Sequence, residues 1–297
     1  MTIIVVLLFV FVAVAFFTLI ERKVLGYIHL RKGPNKPGIL LVPFADAVKL
    51  FLKELSLPAL SNIISFLSVG LIIIIVPITL WVTFPLFSYL SFHKYILIFI
   101  LAVSSFGVYG TLAAGWTSNS KYSLLGAIRA AAQTISYEVR MSITILSVIF
   151  FLLYDPSHKK QVSIYLIFFS LFLIFSVSIL AETNRRPFDF AEGERELVRG
   201  FNTEFSSVLF VLIFLAEYSS ILFISLLASI LFLMTSFLEL ILFCLFLSFF
   251  FIWSRGSLPR FRYDQLIYLA WKSFLPLSLV FLLLITNLFS HSRTLKV

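Results

Sequence analysis

Glu138, Glu182, Glu217 and Glu239 sit inside or at the ends of long apolar runs of this chain. A charge placed in hydrocarbon is costly, so each of these residues needs a cationic partner or a proton. A carboxyl group that exchanges protons in an apolar interior is the working part of a proton relay. A carboxylate held by Arg129, Arg140 or a neighbouring subunit is instead a structural ion pair, and for Glu138 and Glu182 the residue types leave both readings open. Glu217, flanked by Leu215, Ala216 and Tyr218 well inside its run, is the hardest to read as structural. Glu239 reads as the mark of a turn ahead of the next run. Glu21 and Arg22, adjacent at the end of the first run, read together as an interfacial pair reaching for headgroups.

Charge is otherwise concentrated in one stretch, AETNRRPFDFAEGERELVRGFNTEF from Ala181 to Phe205. It sets Glu182, Asp189, Glu192, Glu194, Glu196 and Glu204 against Arg185, Arg186, Arg195 and Arg199, and Pro187, Gly193 and Gly200 break or bend the helix there. A connector between two membrane helices needs only a few polar residues. The stretch is either a solvated hairpin or a polar surface that docks a partner or lines a water-filled cavity. Cys244 is the single cysteine, and His29, His93, His158 and His291 have no ligand spacing. The chain alone therefore offers no disulfide, no metal site and no ligand set for an iron–sulfur cluster, and a redox centre would belong to a partner.

The elements that position these groups follow from composition. A hydrophobic fraction of 61%, a charged fraction of 12% and a mean hydropathy of +1.07 exclude an ordinary soluble globule. A helix needs about 20 residues to cross a hydrocarbon core of about 30 Å. On that ruler the spans are Thr2 to Leu25, Asn62 to Phe84, Lys94 to Trp116, Ala131 to Leu153, Val162 to Ala181, Phe205 to Leu227, Ser236 to Trp253 and Trp271 to Ser290. The turn between the sixth and seventh, near Ser229 to Ser236, is inferred from length alone. The opening apolar run has no basic leader and no cleavage site, so it reads as a retained first span.

The expected fold is an all-α polytopic membrane protein with about eight transmembrane helices and amphipathic helices on one side. Loops after odd-numbered spans hold all but five of the 23 basic residues, the exceptions being Lys94, Lys159, Lys160, Arg293 and Lys296. The positive-inside rule puts those loops on the cytoplasmic or matrix side. Topology and anionic lipid headgroups then explain the net charge of +9 without nucleic acid. The chain reads as one membrane domain over residues 1–297, with inner-side segments at 21–61, 117–130, 182–204 and 254–270. In the first, Gly33, Pro34, Pro37 and Gly38 force a turn before PFADAVKLFLKEL, where Phe44, Ala47, Val48, Phe51, Leu52 and Leu55 fall at helical spacing. This predicts a short amphipathic helix at the interface, carrying Asp46 on another face. In the second, small residues let neighbouring backbones approach closely, and Arg129 and Gln133 lie one helical turn apart.

ERKVLGY (Glu21–Tyr27), RKGPN (Arg31–Asn35), ADAVKLFLKE, GWTSNSKYSLLGAIRAAAQTISYEV, AETNRRPFDFAEGERELV, FNTEF and PRFRYDQL (Pro259–Leu266) occur in this order from the first span to the eighth. Together they resemble the NADH:ubiquinone oxidoreductase chain 1 family, the quinone-chamber membrane subunits of respiratory complex I, in its mitochondrially encoded form. The resemblance implies a multi-pass protein of the mitochondrial inner membrane whose matrix loops cover the mouth of a quinone tunnel. It implies that Glu138, Glu182 and Glu217 belong to a buried acidic proton-coupling chain, and that Glu192, Glu194 and Glu196 form the family's acidic loop. It further implies that Arg22, Asp46, Arg129, Arg185 and Arg262 surround the quinone chamber or its mouth. Ubiquinone would be the substrate, and FMN and iron–sulfur clusters would reside only in partner subunits. The implied partners are the other membrane-arm subunits, the peripheral quinone-module subunits and inner-membrane lipids.

The chain departs from the family's pattern at several positions. The turn after Gly33 is about two residues short, Val42 stands where Gln usually precedes proline, and Arg186 replaces a small residue. Arg140 occupies a position where a small or hydroxylated residue is common, and Arg195 and Arg199 add positive charge to the acidic stretch. Intramembrane glutamates alone also fit a stand-alone ion or proton transporter, which leaves the elaborate inner loops unexplained. A membrane prenyltransferase would need clustered aspartates for magnesium and diphosphate, and Asp46 stands alone.

Overall fold

The structure, a computed structural model, describes residues 2–35, 38–86, 96–154, 169–189, 200–233 and 236–294. The described residues are helical and include no strand: α1 (Thr2–Ile28), α2 (Val42–Leu52), α3 (Ile63–Leu86), α4 (Ile96–Thr117), α5 (Lys121–Tyr154), α6 (Phe169–Glu182), α7 (Ser207–Leu233), α8 (Phe237–Ser257), α9 (Tyr263–Tyr268) and α10 (Leu275–Thr294). A π-helical segment, Leu269–Phe274, joins the last two into one continuous run. Six of these runs are long and apolar enough to cross a membrane: α1, α3, α4, α7, α8 and the run from α9 into α10. The chain is an all-α polytopic membrane protein. The fourth expected span lies within α5, whose 34 residues would extend about 50 Å, more than a bilayer requires. The segment read from sequence as an inner loop before Ala131 is thus the first part of the same helix. Of the fifth expected span, the part from Phe169 is described, as α6.

Long aliphatic and aromatic side chains on the spans point outward, among them Leu8, Phe9, Ile64, Ile98, Phe237 and Leu242. Lipid can solvate such surfaces, but it offers no partner to a hydroxyl. Serines and threonines on the spans donate instead to carbonyls one turn back, as Ser104 does to Leu101, Thr111 to Val108 and Ser178 to Phe175.

The chain divides into two compact units. The first comprises residues 1–132, 189–223 and 252–258. Its core gathers Phe66 and Val69 of α3, Ala114 of α4, Ala130 of α5, Phe205, and Leu209 and Ile213 of α7. The Phe66 and Phe205 rings stack with centroids 4.5 Å apart. A Cβ on Gly115 would lie 2.3 Å from that of Ala127, so α4 and α5 approach where only glycine fits. Gly38, with φ of 81°, turns the chain into α2. That helix meets α1 through an edge-on contact of Phe44 with Phe16.

The second unit comprises residues 133–188, 224–251 and 259–297. Phe172 and Phe175 of α6 pack against Phe232 of α7, with ring centroids 5.3 and 5.2 Å apart. At its other cluster Phe188 lies between Tyr137 of α5 and Phe261, and the Phe261 amide donates to the Pro187 carbonyl at 3.2 Å.

Candidate functional site

In the first unit the C-terminal part of α1 presents Glu21 to two partners. Tyr218 of α7 donates its hydroxyl to Glu21 Oε2 at 2.5 Å, and Arg255 near the end of α8 pairs with Oε1. The Tyr218 ring is fixed edge-on to Phe17, 5.9 Å between centroids, and lies 6.2 Å from Phe214. Gly256, next to Arg255, lets the end of α8 close on Leu25 and Ile28 of α1, because a Cβ there would come within 2.9 Å of the Ile28 side chain. Glu21 is only 6% exposed, so both of its oxygens are engaged inside the protein rather than in water. Charge-assisted bonds of this kind are short and directional, and they hold a carboxylate in one orientation.

The sequence paired Glu21 with Arg22 at the headgroup level, and the structure separates them. Arg22 Nη1 bonds to Asp46 Oδ2 of α2 at 2.8 Å, with both side chains about half exposed. One residue of the α1 end thus holds an internal cluster and the next holds the amphipathic helix. No residue of α2 is buried, and Leu41, Phe44, Ala45, Val48, Lys49, Leu52 and Lys53 line an apolar groove of about 670 Å³ along it. Glu217 precedes Tyr218 on α7 and is half-buried. Arg129 of α5 is half-buried as well.

In the second unit one face of α5 is polar and enclosed. Gln133 donates through Nε2 to the carbonyls of Ala181 and Phe188, at 2.8 and 2.9 Å. This locks α5 to the end of α6 and to the turn beyond it, and so fixes Glu182 as the neighbour of a bonded backbone. One turn further along α5, Tyr137 donates its hydroxyl to the Leu266 carbonyl of α9 at 3.2 Å. Glu138 follows, half-buried. Part of the Glu182 side chain reaches the surface, but its Oε2 is enclosed and has no hydrogen-bond partner among the described residues.

Of the other sequence-predicted residues, Arg185 is half-buried in the turn after α6, and Arg262 pairs with Asp264 at 3.4 Å, both largely exposed. Glu192, Glu194 and Glu196 lie outside the described residues. Glu138 and Glu182 fall in one compact unit with Arg185 and Arg262, and Glu217 falls in the other with Arg22, Asp46 and Arg129. Sequence reasoning missed Tyr218 and Arg255 as partners of Glu21. The available signals were a tyrosine directly after the mid-span Glu217 and an arginine at the end of the seventh span.

The sequence model of the NADH dehydrogenase family matches residues 1–286. Curated relatives match over nearly the whole chain. NADH-ubiquinone oxidoreductase chain 1 of Aedes aegypti is 53% identical over 283 residues, covering 92% of this chain and 90% of that protein. The protein of the same name from Locusta migratoria is 51% identical over 282 residues, with the same coverage of both chains. That of Carassius auratus is 48% identical over 290 residues, again covering 92% of this chain and 90% of its own length.

Proposed function

The chain belongs to the NADH dehydrogenase family whose curated members are NADH-ubiquinone oxidoreductase chain 1, and from that premise we propose how it works within the enzyme. It is a subunit of the proton-translocating NADH:ubiquinone oxidoreductase, with ubiquinone as the substrate of the assembly. Its own part is to form much of the ubiquinone chamber and the start of the acidic path that couples quinone reduction to proton translocation, in the mitochondrial inner membrane. FMN and the iron–sulfur clusters belong to partner subunits, since a chain with one cysteine has no thiolate set to hold a cluster. Arg22, Asp46, Arg129, Arg185 and Arg262 serve the chamber or its mouth. Glu138, Glu182 and Glu217 carry the proton path, and the loop of Glu192, Glu194 and Glu196 meets the peripheral quinone module.

The observation that carries this reading is the inward placement of acidic groups on apolar helices. Glu21 is buried and doubly bonded, and Glu182 keeps one oxygen enclosed. Carboxylates kept from lipid at such a cost support this reading in each unit by itself. The experiment is gentle detergent extraction followed by native electrophoresis with flavin and iron detection. The chain should migrate in a very large assembly that contains flavin and iron–sulfur subunits and reduces ubiquinone. Migration alone, with ion flux in proteoliposomes, would replace this reading by that of a stand-alone transporter.

A further inference from the structure

The apolar face of α2 points away from the rest of the chain. Ala47 and Leu50 lie half-buried on the side toward the protein, whereas Leu41, Phe44, Val48 and Leu52 are exposed, Leu52 by 80%. A contiguous apolar face of this kind needs an apolar cover.

Two contacts with α1 give the direction of that face. Phe44 meets Phe16, close to the middle of the α1 span. Asp46 bonds to Arg22, which stands about 9 Å nearer the end of that helix. At about 100° per residue, Phe44 and Asp46 lie on nearly opposite sides of α2. The Phe44 side is therefore turned toward the hydrocarbon depth of α1, and the Asp46 side toward its polar end. Leu41, Val48 and Leu52 fall within about 80° of Phe44 around the helix, whereas Lys49 and Lys53 fall within about 60° of Asp46.

Lys49 and Lys53 border the apolar groove along α2, with Cβ atoms one helical turn and about 6 Å apart. Both are exposed, and neither forms an ion pair among the described residues. Of the carboxylates beside them, Asp46 is bonded to Arg22, and Glu54, next to Lys53, is exposed and does not line the groove. One groove thus offers apolar side chains at hydrocarbon depth and two ammonium groups on the polar side. That pattern is complementary to a molecule with acyl tails and an anionic head. A quinone with an isoprenoid tail matches the apolar part alone, since its neutral head gives two ammonium groups no charge to engage.

We propose that α2 is the binding site of an anionic phospholipid, whose phosphate bridges Lys49 and Lys53 and whose acyl chains lie against Leu41, Phe44, Val48 and Leu52. The lysine stems follow the apolar surface while their charged heads reach the phosphate. The site stands on the placement of α2 against α1 and does not depend on the roles assigned to the ubiquinone chamber.

The test uses the intact, assembled enzyme in phosphatidylcholine vesicles containing a trace of phosphatidylglycerol with a photoactivatable group in its acyl chain. Crosslinks are mapped by mass spectrometry of the α2 peptide. The anionic probe should label α2, K49Q/K53Q should lower that labelling about tenfold, and K49R/K53R should retain it. A photoactivatable phosphatidylcholine should label native α2 only at the level of the glutamine variant. If K49Q/K53Q does not assemble, the comparison of the two probes on the native enzyme decides by itself. Equal labelling by both probes would show bulk lipid against an apolar face and would overturn the proposal. Labelling by neither would mean that a partner subunit covers α2, and labelling by a photoactivatable ubiquinone that excess phosphatidylglycerol does not displace would give the groove to quinone; either result overturns it as well.

Discussion

Tyr218 donates a hydrogen bond to Glu21 at 2.5 Å, although 197 residues separate the two in the chain. The bond fastens the C-terminal part of α1 to the middle of α7, one residue after Glu217. Arg255 engages the other oxygen of Glu21, so the carboxylate is held from both sides. Tyr218→Phe keeps the ring contacts with Phe17 and Phe214 and removes only the donor. A hydrogen bond to a buried charged group is worth about 1.5 to 3 kcal/mol. The variant should therefore assemble, lose thermal stability on that scale and reduce ubiquinone more slowly. Melting and turnover both equal to those of the native enzyme would show that Arg255 alone holds Glu21.

The neighbouring bond leads to the opposite expectation. Arg22 and Asp46 are about half exposed, and exposed pairs contribute about 0 to 1 kcal/mol. Asp46→Asn should leave assembly and melting unchanged. What it loosens is the tether of α2 to α1, so the KM for ubiquinone should rise while kcat holds. A fall in kcat equal to the fall in kcat/KM would argue against a role of this pair in binding ubiquinone.

What the sequence conveyed here was faces and lengths. The Pro/Gly turn and the apolar spacing after Pro43 pointed to α2, and the charge-poor length from Phe205 to Trp253 called for two helices, of which α7 runs as far as Leu233, past the expected start of the turn at Ser229, and α8 begins at Phe237. Partners between distant segments were not legible. The helical period shows which residues share a face but not which helix meets that face. Glu21 and Arg22 read as one interfacial pair because they are adjacent, yet consecutive helical residues point about 100° apart and reach different neighbours. The start of α5 was not legible from span length for a related reason. A bilayer ruler places the membrane boundary near Ala131, but Ala130, Ala131 and Ala132 are strong helix formers and nothing there stops the helix. Arg140 stood out as a departure in charge, while its enclosure between Tyr137 and Phe274 depended on a ring 134 residues further on.

The sidedness of the loops is open to direct measurement. With Cys244 replaced by Ala, single cysteines at Lys53 and Lys121 should react with a membrane-impermeant reagent from the matrix side, and one at Lys159 only from the opposite side. This follows from the asymmetry of basic residues across the odd and even loops. Reaction of the Lys121 and Lys159 positions from the same side would overturn the order of spans around α5.

Glu217 supplies the sharpest test of proton coupling. It lies inside α7, a helix of 27 residues whose composition suits the bilayer, and its side chain is half-buried. A carboxyl group at that depth must be protonated or served by polar neighbours, and Tyr218 beside it already belongs to the Glu21 cluster. Glutamine preserves the volume and much of the hydrogen bonding but cannot release a proton. Glu217→Gln should thus leave assembly intact, along with electron transfer from NADH to hydrophilic acceptors in the peripheral arm. Ubiquinone reduction coupled to proton translocation should fall. Glu217→Ala is the poorer probe, because it also opens a cavity within the packed helix and confounds stability with chemistry. Normal pumping rate and stoichiometry in the glutamine variant would make Glu217 a structural residue and force the proton route to bypass the middle of α7.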